Sequence, residues 1–299
     1  MHISRNTALL IAILGAFLFA MKGVLAKLMY REGIDATTLL ALRMLLSCPF
    51  FALMAAYSWR REPRLHSSDA LKIAGLGFIG YYLSSYLSFW GLEYVSVGLE
   101  RLILFLNPTV ILLLGWLFYK RTVSRQQWFS MVLAYAGIVL VFWNDTHQQG
   151  AASTVALGAA IVFASALTYG SYLLMSGEVV ARYGSVRLVA LAMLVSTGYT
   201  AVHYLIAHPS HSLAALFVQT PTVWVFSLTN AVFCTVLPVT LLMVAVARLG
   251  AGTAAQAGMV GPVATLFLAY AFLGEALTLL QLAGTALVLA GIVVLSRIK

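Results

Sequence analysis

Polar residues are sparse along this chain and fall at intervals, leaving apolar runs of about 20 residues, the length that crosses roughly 30 Å of hydrocarbon as a helix. Ten such runs are predicted, at 7–25, 37–57, 70–90, 97–119, 128–142, 154–175, 188–207, 223–247, 253–273 and 279–296. The expected fold class is therefore an all-α integral membrane protein with ten transmembrane helices. The connections average about ten residues, too short to hold a separate soluble domain.

The pattern recurs within the chain. At an offset of 154 residues Gly98 falls on Gly252, Pro108 on Pro262, Leu114 on Leu268, Phe118 on Phe272, Gln127 on Gln281, and Ala136 to Val139 on Ala290 to Val293. A fixed-period match that holds Gly, Pro and Gln together sets the architecture. It predicts two five-helix halves, 1–146 and 147–299. Five is odd, so the second half enters the membrane in the opposite sense: the repeats are inverted, the geometry of secondary transporters.

Composition agrees. The chain has 299 residues, is 62% hydrophobic and 9% charged, and has a mean hydropathy of +0.95. A net charge of +9 would suggest nucleic acid in a soluble protein. Here 13 of the 18 Lys and Arg residues fall on the side of the N-terminus, in connections and ends that include Arg60, Arg61, Arg64, Lys72, Lys120, Arg121, Arg182 and Arg187. Only Lys27 and Arg31 are placed in connections on the other side. The positive-inside rule then puts both termini in the cytoplasm of a cell inner membrane, with lipid rather than nucleic acid as the surroundings. The first run follows Arg5 as a signal peptide would, but lacks a small-x-small cleavage site and reads as a retained helix. Cys48 and Cys234 fall inside runs and read as small apolar side chains; no metal spacing, P-loop or other cofactor motif is expected.

Four charges interrupt the runs: Lys22, Arg43, Glu100 and Arg101. At 1.5 Å per residue all lie in the outer third of the membrane, and each costs roughly 2.5 to 3.5 kcal/mol at the bilayer centre. They are expected to face one another or a wet vestibule, with Glu100 paired to one cation and the rest free to meet an anionic group. The competing reading has Lys22 and Arg101 snorkelling to headgroups and Arg43 capping carbonyls. The third run places Tyr82, Tyr86 and Phe89 on one side with Ser85 and Ser88 alongside, either packing or lining a cavity. Tyr169, Tyr172, Asn230 and Gln256 complete the candidate substrate contacts. Pro108, Pro238 and Pro262 each remove a backbone donor and free the carbonyl four residues earlier, making hinges or acceptors, or simple kinks. Ser67 to Asp69 read as a helix N-cap, small residues at Ser130, Ala134, Gly137, Gly284 and Gly291 read as close helix packing, and His203, His208 and His211 read as a solvated loop.

Pro262, the Leu273-Gly274-Glu275 turn, Thr278, Gln281, Gly284 through Gly291 and Arg43 together resemble the EamA-type fold of the drug/metabolite transporter superfamily. The resemblance implies ten helices, cytoplasmic termini and a central cavity lined mainly by the first, third, fourth, sixth, eighth and ninth helices. The first half departs from it, with Lys120-Arg121 in place of the Gly-Glu turn, and Glu275 is expected to cap the last helix. The leading expectation is a non-enzymatic carrier exporting a small organic metabolite such as an amino acid by alternating access. Efflux of drugs or toxic compounds is the alternative, with a channel, a sensor or an intramembrane enzyme behind it. Proton coupling, exchange and a homodimer are left open by the sequence.

Overall fold

The computed structural model describes residues 4–59, 65–120, 122–148, 151–210 and 212–297. Arg60, Arg61, Arg64, Arg121 and His211, used above, lie outside them.

The described residues form fifteen α-helices: α1 (Arg5–Arg31), α2 (Ala36–Trp59), α3 (Ser67–Gly77), α4 (Ser84–Leu92), α5 (Val97–Phe105), α6 (Asn107–Tyr119), α7 (Arg125–Gln148), α8 (Ala152–Met175), α9 (Gly177–Tyr183), α10 (Ser185–Ala207), α11 (Pro221–Ala231), α12 (Leu237–Leu249), α13 (Ala251–Gly258), α14 (Val260–Leu273) and α15 (Leu279–Arg297). Among them eight helical stretches are long and apolar enough to cross a membrane, or nine when the bent α5–α6 pair counts as one span. α3 and α4 are joined by a π-helical turn, Phe78–Leu83, and α11 and α12 by another, Val232–Val236.

The sequence offset reappears in the elements. α3 and α11 begin 154 residues apart, as do the two π turns, α5 and α13, and α7 and α15. α6 and α14 end at the same offset, on Lys120 and Gly274, both left-handed. Glycine takes that conformation without penalty, whereas Lys120, at φ 52°, pays roughly 1 kcal/mol for it.

α7 and α15 are packed closely because three glycines meet backbone. A Cβ on Gly137 would sit 2.5 Å from the Gly284 carbonyl oxygen, and one on Gly291 would sit 2.7 Å from that of Ser130. The two helices run antiparallel, since contact positions rise along one as they fall along the other. The contacts are also reciprocal: Gly137 meets Gly284 and Val288, while Gly291 meets Ser130 and Ala134, their counterparts at the repeat offset.

Proline acts as the sequence required, through different geometry at each site. Pro108 opens α6 after a break at Leu106, and the axis turns by 42°. Pro262 follows a turn at Met259. Pro238 follows the second π turn, which absorbs the missing donor by shifting to longer-range pairing: Leu237 N–H bonds Val232 O.

Three local expectations are corrected. The N-cap of α3 is His66, because the Asp69 carboxylate is drawn away by Tyr183 and Arg182. Lys27 and Arg187 lie in helices, α1 running on to Arg31 and α10 starting at Ser185, and Arg187 is fully buried over the Tyr183 ring. His203 is not in a loop but half-buried in α10 between Tyr82 and Tyr86.

Candidate functional site

The intramembrane charges converge. Lys22 on α1, Arg43 on α2, and Glu100 and Arg101 on α5 are each 8% exposed or less. Lys22 donates to Ser88 Oγ at 3.5 Å, and the Ser88 hydroxyl donates to Glu100 Oε1 at 2.6 Å. The lysine thus meets the carboxylate through a hydroxyl relay. Among the described residues, no direct ion pair holds Glu100.

Arg43 joins the two halves of the chain. Its Nε donates to Thr235 Oγ1 at 2.8 Å and one terminal nitrogen to Ser85 Oγ at 3.4 Å. Ser85 follows the first π turn, and Thr235 lies in the second, so both π turns present a hydroxyl to one guanidinium. Such turns re-aim side chains that a regular helix would turn elsewhere. These bonds take two of the five donors of Arg43.

Two phenyl rings complete the cage. Phe89 lies 4.6 Å from Lys22 Nζ and 5.5 Å from the Arg43 guanidinium; Phe19 lies 4.7 Å from that of Arg101. Desolvated cation–π contacts of this kind are worth about 2 kcal/mol each and hold the cations without neutralising them. Gly261, beside Pro262, lies against the Arg101 guanidinium, a Cβ there falling in ordinary contact at 3.6 Å from its terminal nitrogen. The result is three cations against one carboxylate, inside the bundle, between elements of both halves.

The other expected contacts lie elsewhere. Tyr82 and Tyr86 face α10, with Tyr199 5.9 Å from Tyr82 and His203 4.6 Å from Tyr86. Tyr172 is buried against the first π turn, its hydroxyl 3.3 Å from that of Tyr81, with Tyr169 at its side. Asn230 is fully buried two residues before the second π turn, with no partner for its side-chain amide among the described residues. Gln256 is exposed on α13. Ser85, Ser88 and Thr235 had signalled only polarity in sequence, and Phe19 gave no signal.

Glu275 has a different task from the one expected. Its Oε1 accepts the Val97 N–H at 3.1 Å and so caps α5, while Thr278 caps α15 by accepting from Gln281 N–H at 3.1 Å. The turn folds back over the start of α5, which brings the carboxylate to that helix first. Burial holds the Glu275 carboxyl above the ordinary carboxylate range, opposed by the Val97 bond and the charge of Lys27.

On the face where α1 begins, α3 is tied to α9. Arg182 donates to Asp69 at 2.6 Å, the Tyr183 hydroxyl donates to Asp69 at 2.8 Å, and Lys72 pairs with Glu178 at 3.2 Å.

The model of the EamA-like transporter family matches residues 6–143 and again 156–297. The chain is 28% identical over 275 residues to the uncharacterized transporter YcbK of Bacillus subtilis, covering 91% of this chain and 87% of that one. It is 27% identical over 275 residues to a probable terminal-alkyne amino-acid exporter of Streptantibioticus cattleyicolor, covering 89% and 87%. A crystal structure superposes with a TM-score of 0.67 at 16% identity over 98% of this chain and 97% of its own, a likeness of fold.

Proposed function

The chain belongs to the EamA-like transporter family, and from that premise we propose that it is a ten-span secondary carrier for a small organic metabolite bearing an anionic group. The metabolite is an amino acid or a close relative, moved across the inner membrane by alternating access in the direction of export, with both termini cytoplasmic. The observation that carries this reading is the surplus of buried cations at Lys22, Arg43 and Arg101 over Glu100. A buried charge is costly unless it is paired, and a substrate carboxylate is the partner that would complete the cage.

The inverted-repeat reading is supported by the reciprocal α7–α15 contacts. Reciprocity is the mark of a two-fold axis, and equivalent helices that run antiparallel require that axis to lie across them, in the membrane plane. The tenth span is Ser67–Leu92, continuous through its π turn, whose serines and tyrosines lower its hydropathy. Export of an amino-acid-like compound is supported by the name of one relative.

Counterflow in proteoliposomes tests the reading. Vesicles preloaded with single amino acids or organic acids are expected to accumulate labelled tracer saturably, and amine analogues lacking the carboxylate are expected to fail. Lys22→Ala, Arg43→Ala and Arg101→Ala, each shown to be inserted and folded, are expected to lower the rate about 10-fold or more, the loss of one charge-assisted hydrogen bond. Parental rates in all three would overturn it.

A further inference from the structure

We propose that the cavity at the face where α1 ends is a binding site for an organic ammonium group, separate from the buried cation cluster. The cavity measures about 660 Å³, is open to one side, and is lined by the end of α1, the α1–α2, α4–α5 and α14–α15 turns, the end of α7 and the start of α15. That volume suits a metabolite-sized ligand.

Its charge is the reverse of the deep site. Asp35, Glu93, Asp145 and Glu275 line it against Lys27 and Arg31. Each carboxylate is held in place by capping backbone: Asp35 accepts from Thr37 and Thr38, Glu93 from Ala36, Asp145 from Ser96, and Glu275 from Val97. Arg31 donates to the Leu273 carbonyl at 2.8 Å. The acids are thus fixed by the fold, and their summed charge exceeds that of the two cations.

Two acceptors are left over. Glu275 Oε2 is buried without a partner, and so is Oε1 of Gln281, a residue only 3% exposed that also lines the cavity. The first half of the chain shows what Gln281 forgoes. At α7, the equivalent Gln127 closes a capping box, accepting the Ser124 N–H at 2.8 Å while its own N–H donates to Ser124 Oγ at 3.2 Å. At α15 the backbone half of the box is kept, yet the Gln281 side chain lies beside Gly98, where a Cβ would be 2.5 Å from its Nε2. A buried acceptor without a donor costs about 1 to 3 kcal/mol. Two such acceptors in a cavity of surplus negative charge call for a cationic donor.

The donor is an ammonium rather than a metal ion: no group of three His, Cys, Asp or Glu among the described residues could hold a metal. Nor does it belong to the deep site: none of Lys22, Arg43, Glu100 and Arg101 lines the cavity.

Equilibrium binding to the purified full chain in nanodiscs of zwitterionic lipid tests this without any flux measurement, so its outcome is independent of the counterflow result. The probes are phenylethylamine, its neutral N-acetyl derivative and 3-phenylpropionate. The amine is expected to bind and the acetylated probe to fail, while 3-phenylpropionate, whose carboxylate suits the deep cation cluster, is expected to be indifferent to substitutions in this cavity. Glu275→Gln, which keeps the oxygen that caps α5, is expected to weaken it about 10-fold, and Gln281→Glu, equal in size, to tighten it by a similar factor. Opposite directions from two isosteric changes exclude mere loss of folding. Amine affinity unchanged in both variants, equal binding of the acetylated probe, or no binding to the parent chain would each overturn the proposal.

Discussion

Arg43 is the residue on which the two halves converge, and its chemistry is specific to guanidinium. Nε and a terminal nitrogen leave one rigid plane in different directions, so Thr235 and Ser85 are engaged together. A lysine offers a point charge on a flexible stem and reaches one hydroxyl. Arg43→Lys, with charge retained, is therefore expected to lose about 10-fold in kcat/KM of counterflow, since a hydrogen bond to a charged group is worth roughly 1.5 to 3 kcal/mol. Thr235→Val should match it, and the double variant should be little worse than either single one, because both remove the same bridge. Additive losses would show that arginine and threonine act separately. That Lys22, Arg43, Glu100 and Arg101 would gather inside the bundle was legible in sequence, because charge in an apolar run is expensive wherever it falls. Which hydroxyls and rings receive them was not. Ser85 and Ser88 ran alongside Tyr82 and Tyr86 on paper, yet the serines face Lys22 and Arg43 while the tyrosines face α10.

At the scale of elements, the packing of α7 on α15 was readable from small residues at regular spacing, and its tightness gives a sharp contrast. Gly137→Ala and Gly291→Ala each drive a methyl into backbone carbonyl or amide groups of the facing helix, which cannot rotate away. Each is expected to destabilise the protein by about 1 to 3 kcal/mol, the range for overpacking. Gly198, inside α10 with nothing near its Cβ position, should do the reverse. Its alanine variant gains roughly 0.5 to 1 kcal/mol from helix propensity. Thermal unfolding in one detergent ranks all three, and the same sign at position 198 as at the other two would refute the packing argument. Caps were less legible. Glu275 serves α5, 178 positions earlier in the chain, and a capping rule that looks only at the following three residues cannot find such a partner.

For the whole molecule, the proposed two-fold axis has a mechanical consequence. When an inverted repeat exchanges its two conformations, elements far from the axis move relative to each other, while equivalent elements that meet on the axis keep their relation. α7 and α15, in reciprocal contacts closed by glycine, would meet on the proposed axis and are expected to be the fixed pivot. The tie of α3 to α9 through Asp69, Arg182 and Tyr183 bridges two helices at the face where α1 begins, and under the alternating-access proposal it is expected to hold that face closed. Asp69→Asn keeps the shape of the side chain but discards the charge that holds Arg182, which shifts the population toward opening at that face. Paired spin labels read this on a background free of Cys48 and Cys234. The pair at Leu71→Cys and Ala181→Cys, exposed positions on α3 and α9, should lengthen and broaden in Asp69→Asn. The pair at Val139→Cys and Leu282→Cys, exposed on α7 and α15, should keep its distance. If the second pair moves with the first, α7 and α15 are part of the moving body and the axis does not pass between them. If neither moves, the Asp69 tie is structural and the gate at that face lies in other contacts.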